Sequence, residues 1–166
     1  DRGARQVRAE LAAQPAVQAE LLYTIGSVYL SLGRYDAADT LLQQALALNR
    51  RVAGPRSPGV QGTVELLAEL RANQGRFEEA ETFFREGLDI RRRRFGARDL
   101  RVGVGLINVA SITFFRDDLA TADSLFREAL RLYEEHDRHT SLDAAVRQLA
   151  EQISRARGIE IRMSPI

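Results

Sequence analysis

Three groups of side chains in this sequence have the types and spacing to do chemistry. Glu65 and Glu69 stand four apart, so a helix would put both carboxylates on one face, as an acid/base pair requires. His136 and His139 stand three apart among Glu134, Glu135 and Asp137, all residue types that ligate metals. The run Arg91, Arg92, Arg93 and Arg94, followed by Arg98 and Arg101, presents guanidinium forks that match phosphate oxygens. Each group also has a plainer account. Nothing near the two glutamates encloses a pocket that would tune their pKa values. The histidines fall where a helix should end in a solvated polar loop, and their ligand count is marginal for zinc. Arginines in the last turn of a helix complement its negative end, and Glu86 and Asp89 lie within helix-pair reach of them. No catalytic residue, metal site or cofactor is therefore assigned. An anion patch built on Arg91, Arg92, Arg94 and Arg98 is kept as a candidate, for an acidic or phosphorylated partner segment rather than for nucleic acid.

Composition narrows the chemistry further. The 166 residues hold no Cys, which excludes disulfides, thiolate metal sites and thiol nucleophiles. All 24 basic residues are Arg, which excludes a phosphate-loop or Schiff-base lysine. They face 23 acids, so the formal charge of +1 supplies no global field for nucleic acid or for an anionic membrane.

The elements that must position these residues come from an internal repeat. Gly33-Arg34-Tyr35-Asp36-Ala37-Ala38-Asp39 recurs as Gly75-Arg76-Phe77-Glu78-Glu79-Ala80-Glu81, and again as Asp117-Asp118-Leu119-Ala120-Thr121-Ala122-Asp123, with a step of 42 both times. In that register Leu46, Leu88 and Leu130 align, as do Ile25, Leu67 and Val109. Leu22, Ile25, Gly26 and Tyr29 follow helical spacing, and so do Ala38, Leu41, Leu42, Ala45 and Leu46. Each copy is read as two helices joined at a short turn, where Gly33 or Gly75 takes positive φ. Gly26, Ala68 and Ala110, like Ala38, Ala80 and Ala122, are small where two antiparallel helices must approach. In the third copy Asp117 replaces the turn glycine and Thr113 replaces the tyrosine, so a distorted turn is expected there.

The pattern Leu22-x2-Ile25-Gly26-x2-Tyr29 with Ala38-x3-Leu42 resembles the tetratricopeptide repeat, whose usual period is 34. The extra residues fall between copies, around Gly54-Pro55 and Gly96-Ala97, which is similar to the kinesin-light-chain type of the repeat. The resemblance implies an all-α, right-handed α-solenoid of helical hairpins. The expected organisation is an N-terminal helix over 1–16, repeats over 17–58, 59–100 and 101–139, a capping helix over 140–157 and a tail or linker over 158–166. Val146, Leu149, Ala150 and Ile153 carry first-helix spacing in that cap.

First helices of such arrays line a concave groove that holds an extended peptide or a helix. The register assigns to it Glu20, Tyr23, Thr24, Ser27 and Ser31 from the first copy, Glu65, Glu69 and Asn73 from the second, and Asn108, Ser111 and Phe115 from the third. Asn108 matches an Asn that this type of repeat often presents to a peptide backbone. The plainer alternative for this face is a merely solvated surface, with Phe114 and Phe115 partly buried by the capping helix. The opening stretch, from Asp1-Arg2-Gly3-Ala4-Arg5 through Gln14-Pro15-Ala16-Val17 into the first copy, resembles the region after the kinase domain in certain bacterial serine/threonine protein kinases. That resemblance implies a docking or sensory part of a larger signalling protein, cytoplasmic, or extracytoplasmic if a membrane span lies upstream. The kinase motifs are absent from this stretch, which reads as an excerpt of a longer chain. The expected partner is a protein or peptide, with no nucleic acid, no direct membrane contact and a homodimer through the solenoid ends as an option. The alternatives are a peptide-sensing module of a transcriptional regulator and a small enzyme or metal site.

Overall fold

A computed structural model describes the backbone of residues 14–157 and the side chains of residues 14–138. Among the described residues six helices make three antiparallel hairpins: α1 (Pro15–Ser31) with α2 (Tyr35–Ala53), α3 (Pro58–Asn73) with α4 (Phe77–Phe95), and α5 (Leu100–Phe115) with α6 (Leu119–Arg157). Each hairpin packs on the next in chain order, so the protein is an all-α solenoid with no strand among the described residues. The expected N-terminal helix lies mostly outside the described residues, and Pro15 and Ala16 belong to α1. The tail over 158–166 lies outside them as well.

Local sequence sets most helix ends. Pro15 and Pro58 open α1 and α3, where a missing N–H costs nothing. The Ser57 hydroxyl accepts from the Val60 N–H, and the Asp99 carboxylate accepts from the Arg101 N–H at the start of α5. Gly33 and Gly75 carry φ of 70° and 73° in Schellman turns, with Arg34 N–H donating to Tyr29 O and Arg76 N–H to Arg71 O, each at 2.8 Å. Asp117 corrects the expectation of a distorted third turn. It takes φ of 64°, and Asp118 N–H donates to Thr113 O at 3.0 Å in the same pattern. Flanking helices impose the geometry, and the side chain accepts the strain.

The separate capping helix is also corrected, because α6 runs unbroken from Leu119 to Arg157 across the expected junction at 139/140. The two earlier second helices stop at Gly54 and Gly96, both at positive φ. No Gly or Pro occurs between Leu119 and Arg157, so nothing local ends the helix there.

The core fills the seams between helices. Leu30, Leu42, Leu46, Val60, Val64, Leu67, Leu70 and Ile90 form one cluster, and Leu88, Val102, Leu106, Val109, Ala129 and Leu132 a second. A Cβ on Gly26 would lie 2.9 Å from Leu42, so α1 and α2 touch at van der Waals distance there. Ile25 is 46% exposed, although its counterparts Leu67 and Val109 are fully buried. Those two are covered by the second helix of the copy before, which α1 lacks among the described residues.

Candidate functional site

The two layers of the solenoid are joined in different ways. In the inner layer α1 meets α3 directly, because Gly62 leaves room for the Tyr23 ring, 3.5 Å from where a Cβ would sit. In the outer layer the second helices are bridged by long side chains. Arg50 pairs with Glu86 at 2.6 Å and Arg92 with Glu128 at 2.9 Å, the same bridge moved along by one repeat.

The predicted groove residues divide by what they touch. Glu20 and Tyr23, with Ala16, Asn49, Pro58, Gly59 and Gly62, line an open hollow of about 420 Å³ between the first two repeats. The Asn49 amide donates to the Thr63 hydroxyl beside it. Thr24, Ser27 and Ser31 donate their hydroxyls to carbonyls of their own helix, at Glu20, Thr24 and Ser27, which leaves oxygen lone pairs as acceptors. Glu65 is drawn away from solvent. Arg91 clasps both its oxygens at 2.8 Å, and the pair is half-buried at the seam toward α5, where Arg91 also donates to Arg101 O. The aliphatic stem of Glu65 lies against Gly87. Glu69 and Asn73 are exposed, and Glu69 makes no ion pair among the described residues. Glu65 and Glu69 therefore have different surroundings and are not a matched pair. Asn108 and Ser111 are half-buried on α5.

Phe115 is mostly exposed, and so is Phe114, rather than covered as the plainer alternative has it. α6 runs on from Leu119 to Arg157 as one helix, with no turn that would fold a cap back. Instead Phe115 stacks on Phe77 at 5.7 Å and meets Phe114 edge-on at 6.0 Å, a small aromatic cluster at the end of the inner layer.

The arginine run is largely occupied. Arg91 holds Glu65, Arg92 holds Glu128, Arg93 holds Asp89, and Arg94 donates to Gln61 at 2.8 Å. Arg94 and Arg101 lie over the Phe95 ring, and Arg98 is exposed. Glu86 pairs with Arg50 of the preceding repeat instead of an arginine on its own helix. The 42-residue recurrence of Arg50 with Arg92 and of Glu86 with Glu128 is the sequence signal that could have disclosed this ladder.

An ion pair on a buried arginine was also missed. Arg71 replaces the tyrosine of the first copy, and its guanidinium reaches back to both oxygens of Asp39 at 2.8 and 3.1 Å. Its Nε lies 3.2 Å from Glu79 without hydrogen-bond alignment. In the third copy Thr113 takes that place, and Arg116 pairs instead with Glu81, the counterpart of Asp39. Among the described residues the strongest carboxylate perturbation lies at a cap. The Arg101 guanidinium and N–H bind Asp99 and lower its pKa from 3.8 to about 2. A backbone hydrogen bond and Arg116 likewise lower Glu78, and Thr121 lowers Asp118.

Stacked two-helix repeats with small residues at the crossing and Schellman turns define a tetratricopeptide-type solenoid. The chain belongs to the MalT-like TPR region family, whose model matches residues 4–163. Solved structures agree on the fold. BtubC (BKLC) from P. vanneervenii superposes with a TM-score of 0.69 at 22% identity, covering 73% of this chain and 48% of its own. A variant of a Podosopora anserina putative kinesin light chain with nearly identical TPR-like repeats gives 0.63 at 15% identity, covering 74% and 57%. A second structure of those repeats gives 0.60 at 16%, covering 89% and 78%. This chain thus spans about half the length of the first two structures. A comparison with the curated proteins finds no match. Repeats of this kind generally bind proteins and are typically non-catalytic. No described helix is long and apolar enough to cross a membrane.

Proposed function

We propose that the protein is a docking scaffold whose inner layer binds an extended, polar to basic segment of another protein. The observation that carries this reading is the exposed Glu69 carboxylate, without an ion-pair partner among the described residues, in line with the hollow at Glu20 and Tyr23. Most other acids near the seams are taken by arginines. A basic side chain in the hollow would meet the Glu20 carboxylate and the Tyr23 ring face, both attractive to a cation. Asn108 lies further along the inner layer, where its amide can donate to and accept from a strand-like backbone. The resemblance of the opening residues supports a parent in which these repeats follow a bacterial serine/threonine kinase domain and serve as its docking or sensory part.

The test compares fluorescence anisotropy with two randomised peptide pools, one Arg-rich and one Glu-rich. The Arg-rich pool should bind more tightly, and Glu69→Arg should weaken it at least tenfold, about 1.4 kcal/mol. Asn108→Ala should weaken both pools. Equal binding of the two pools, unaffected by Glu69→Arg, would remove the groove reading. The kinase context stands on the gene upstream of Asp1. A catalytic or DNA-binding domain of another kind there would remove that context without touching the groove.

A further inference from the structure

The third repeat leaves open, among the described residues, a face that the earlier repeats bury. Leu46 and Leu88 are 3% and 4% exposed, whereas Leu130, at the same register position, is 57% exposed. Phe126 and Tyr133 on α6 and Val104 on α5 are exposed beside it. In the first two repeats the next first helix covers this surface, as where a Cβ on Gly105 would lie 3.0 Å from the Leu88 side chain.

The chain holds a segment with the pattern such a covering helix needs. Val146-x2-Leu149-Ala150 repeats the spacing of Val64-x2-Leu67-Ala68 and Leu106-x2-Val109-Ala110. That segment cannot reach its own end face while α6 is continuous. Leu149 lies nineteen residues beyond Leu130 on one helix, roughly 28 Å along its axis at 1.5 Å per residue.

We propose that two copies exchange these segments. The distal half of α6 from one copy lies on the open face of the other, as the first helix of a fourth repeat, and the reverse contact closes a two-fold dimer. The exchange satisfies both observations at once: each open face is covered, and each α6 stays unbroken. It follows from the missing glycine. Gly54 and Gly96 let the earlier chains turn back on themselves, and α6 has no residue that does so.

The chain's lack of cysteine makes the test direct. Aligning Val146 with Leu106 puts Ala145 where Gly105 stands, so Leu130 of one copy should meet Ala145 of the other. At the equivalent contact one repeat earlier, a Cβ added to Gly105 would lie 3.5 Å from the Leu88 Cα, the close approach of two backbones that a disulfide needs. The double variant Leu130→Cys/Ala145→Cys should oxidise to a covalent dimer on a non-reducing gel, and light scattering should give twice the chain mass for the unsubstituted protein. Adding His139→Gly and Thr140→Pro supplies the missing break. It should convert the dimer into a monomer whose disulfide lies within one chain. Three results would overturn the proposal: an intrachain disulfide in the double variant without the added break, a monomer by light scattering at all concentrations, or open-ended polymers that grow with concentration. The last two need no cysteine variant to fold.

Discussion

Exchanging residues at the turn position shared by Gly33, Gly75 and Asp117 isolates the cost of a left-handed backbone. The three have φ of 70°, 73° and 64° and the same pair of closing hydrogen bonds, so they differ in the residue more than in the geometry. No atom lies within 4 Å of where a Cβ on Gly75 would sit, so Gly75→Ala removes no contact and adds no clash. What remains is the left-handed penalty, about 1–2 kcal/mol, against about 0.4–1 kcal/mol gained because alanine restricts the unfolded chain. The expected net loss is about 1 kcal/mol, a fall in Tm of roughly 2–4 °C for a chain of this size. Asp117→Gly should act in the opposite sense. Aspartate tolerates this region better than alanine, so the expected gain is about 0.5 kcal/mol. Urea denaturation followed by circular dichroism measures both, with equal m-values as the check that the unfolded states match. If Gly75→Ala leaves the midpoint unchanged, or Asp117→Gly lowers it, the turns are not held in the left-handed region and the argument fails.

Three further outcomes follow from the packing and the caps. Gly26→Val should destabilise by about 2 kcal/mol, since its Cβ would enter the space of the fully buried Leu42; a variant as stable as the parent would show that α1 and α2 separate freely. Glu65→Ala should also cost about 2 kcal/mol, between the values for exposed and buried pairs, because it leaves the mostly buried Arg91 without its clasp. A double-mutant cycle with Arg91→Ala should recover most of that loss as coupling, and additive losses would count against the pair. Asp99 has its folded pKa near 2, below its ordinary 3.8, so its contribution is complete above pH 4 or so and is lost as pH falls through 2. Asp99→Asn should be less stable than the parent at pH 5, with the difference closing as the acid titrates; a gap constant to pH 2 would refute the assignment.

Much of the fold was legible because its determinants are local and repeat. Helical spacing, a glycine at each of the first two turns and small residues at each crossing recur at 42-residue steps, and each acts over a few neighbouring residues. The hairpins and their order follow from these alone, as does the absence of a helix break after Leu119. That last signal lay in the residues, but the regained apolar spacing at Val146 suggested a boundary that only a Gly or Pro would have made. The groove was legible only as a set of positions. Tertiary structure decided which of them are available: Glu65 is clasped by Arg91, whereas Glu69, one turn later, makes no ion pair among the described residues. It also decided that Arg71 reaches Asp39 and that Arg50 and Arg92 bridge neighbouring second helices. A long flexible side chain meets whatever charge the packing brings within its reach, and that partner lies more than thirty residues away in the chain. Periodicity therefore determined the backbone of this protein, and the pairing of its charges was left to the way the repeats stack.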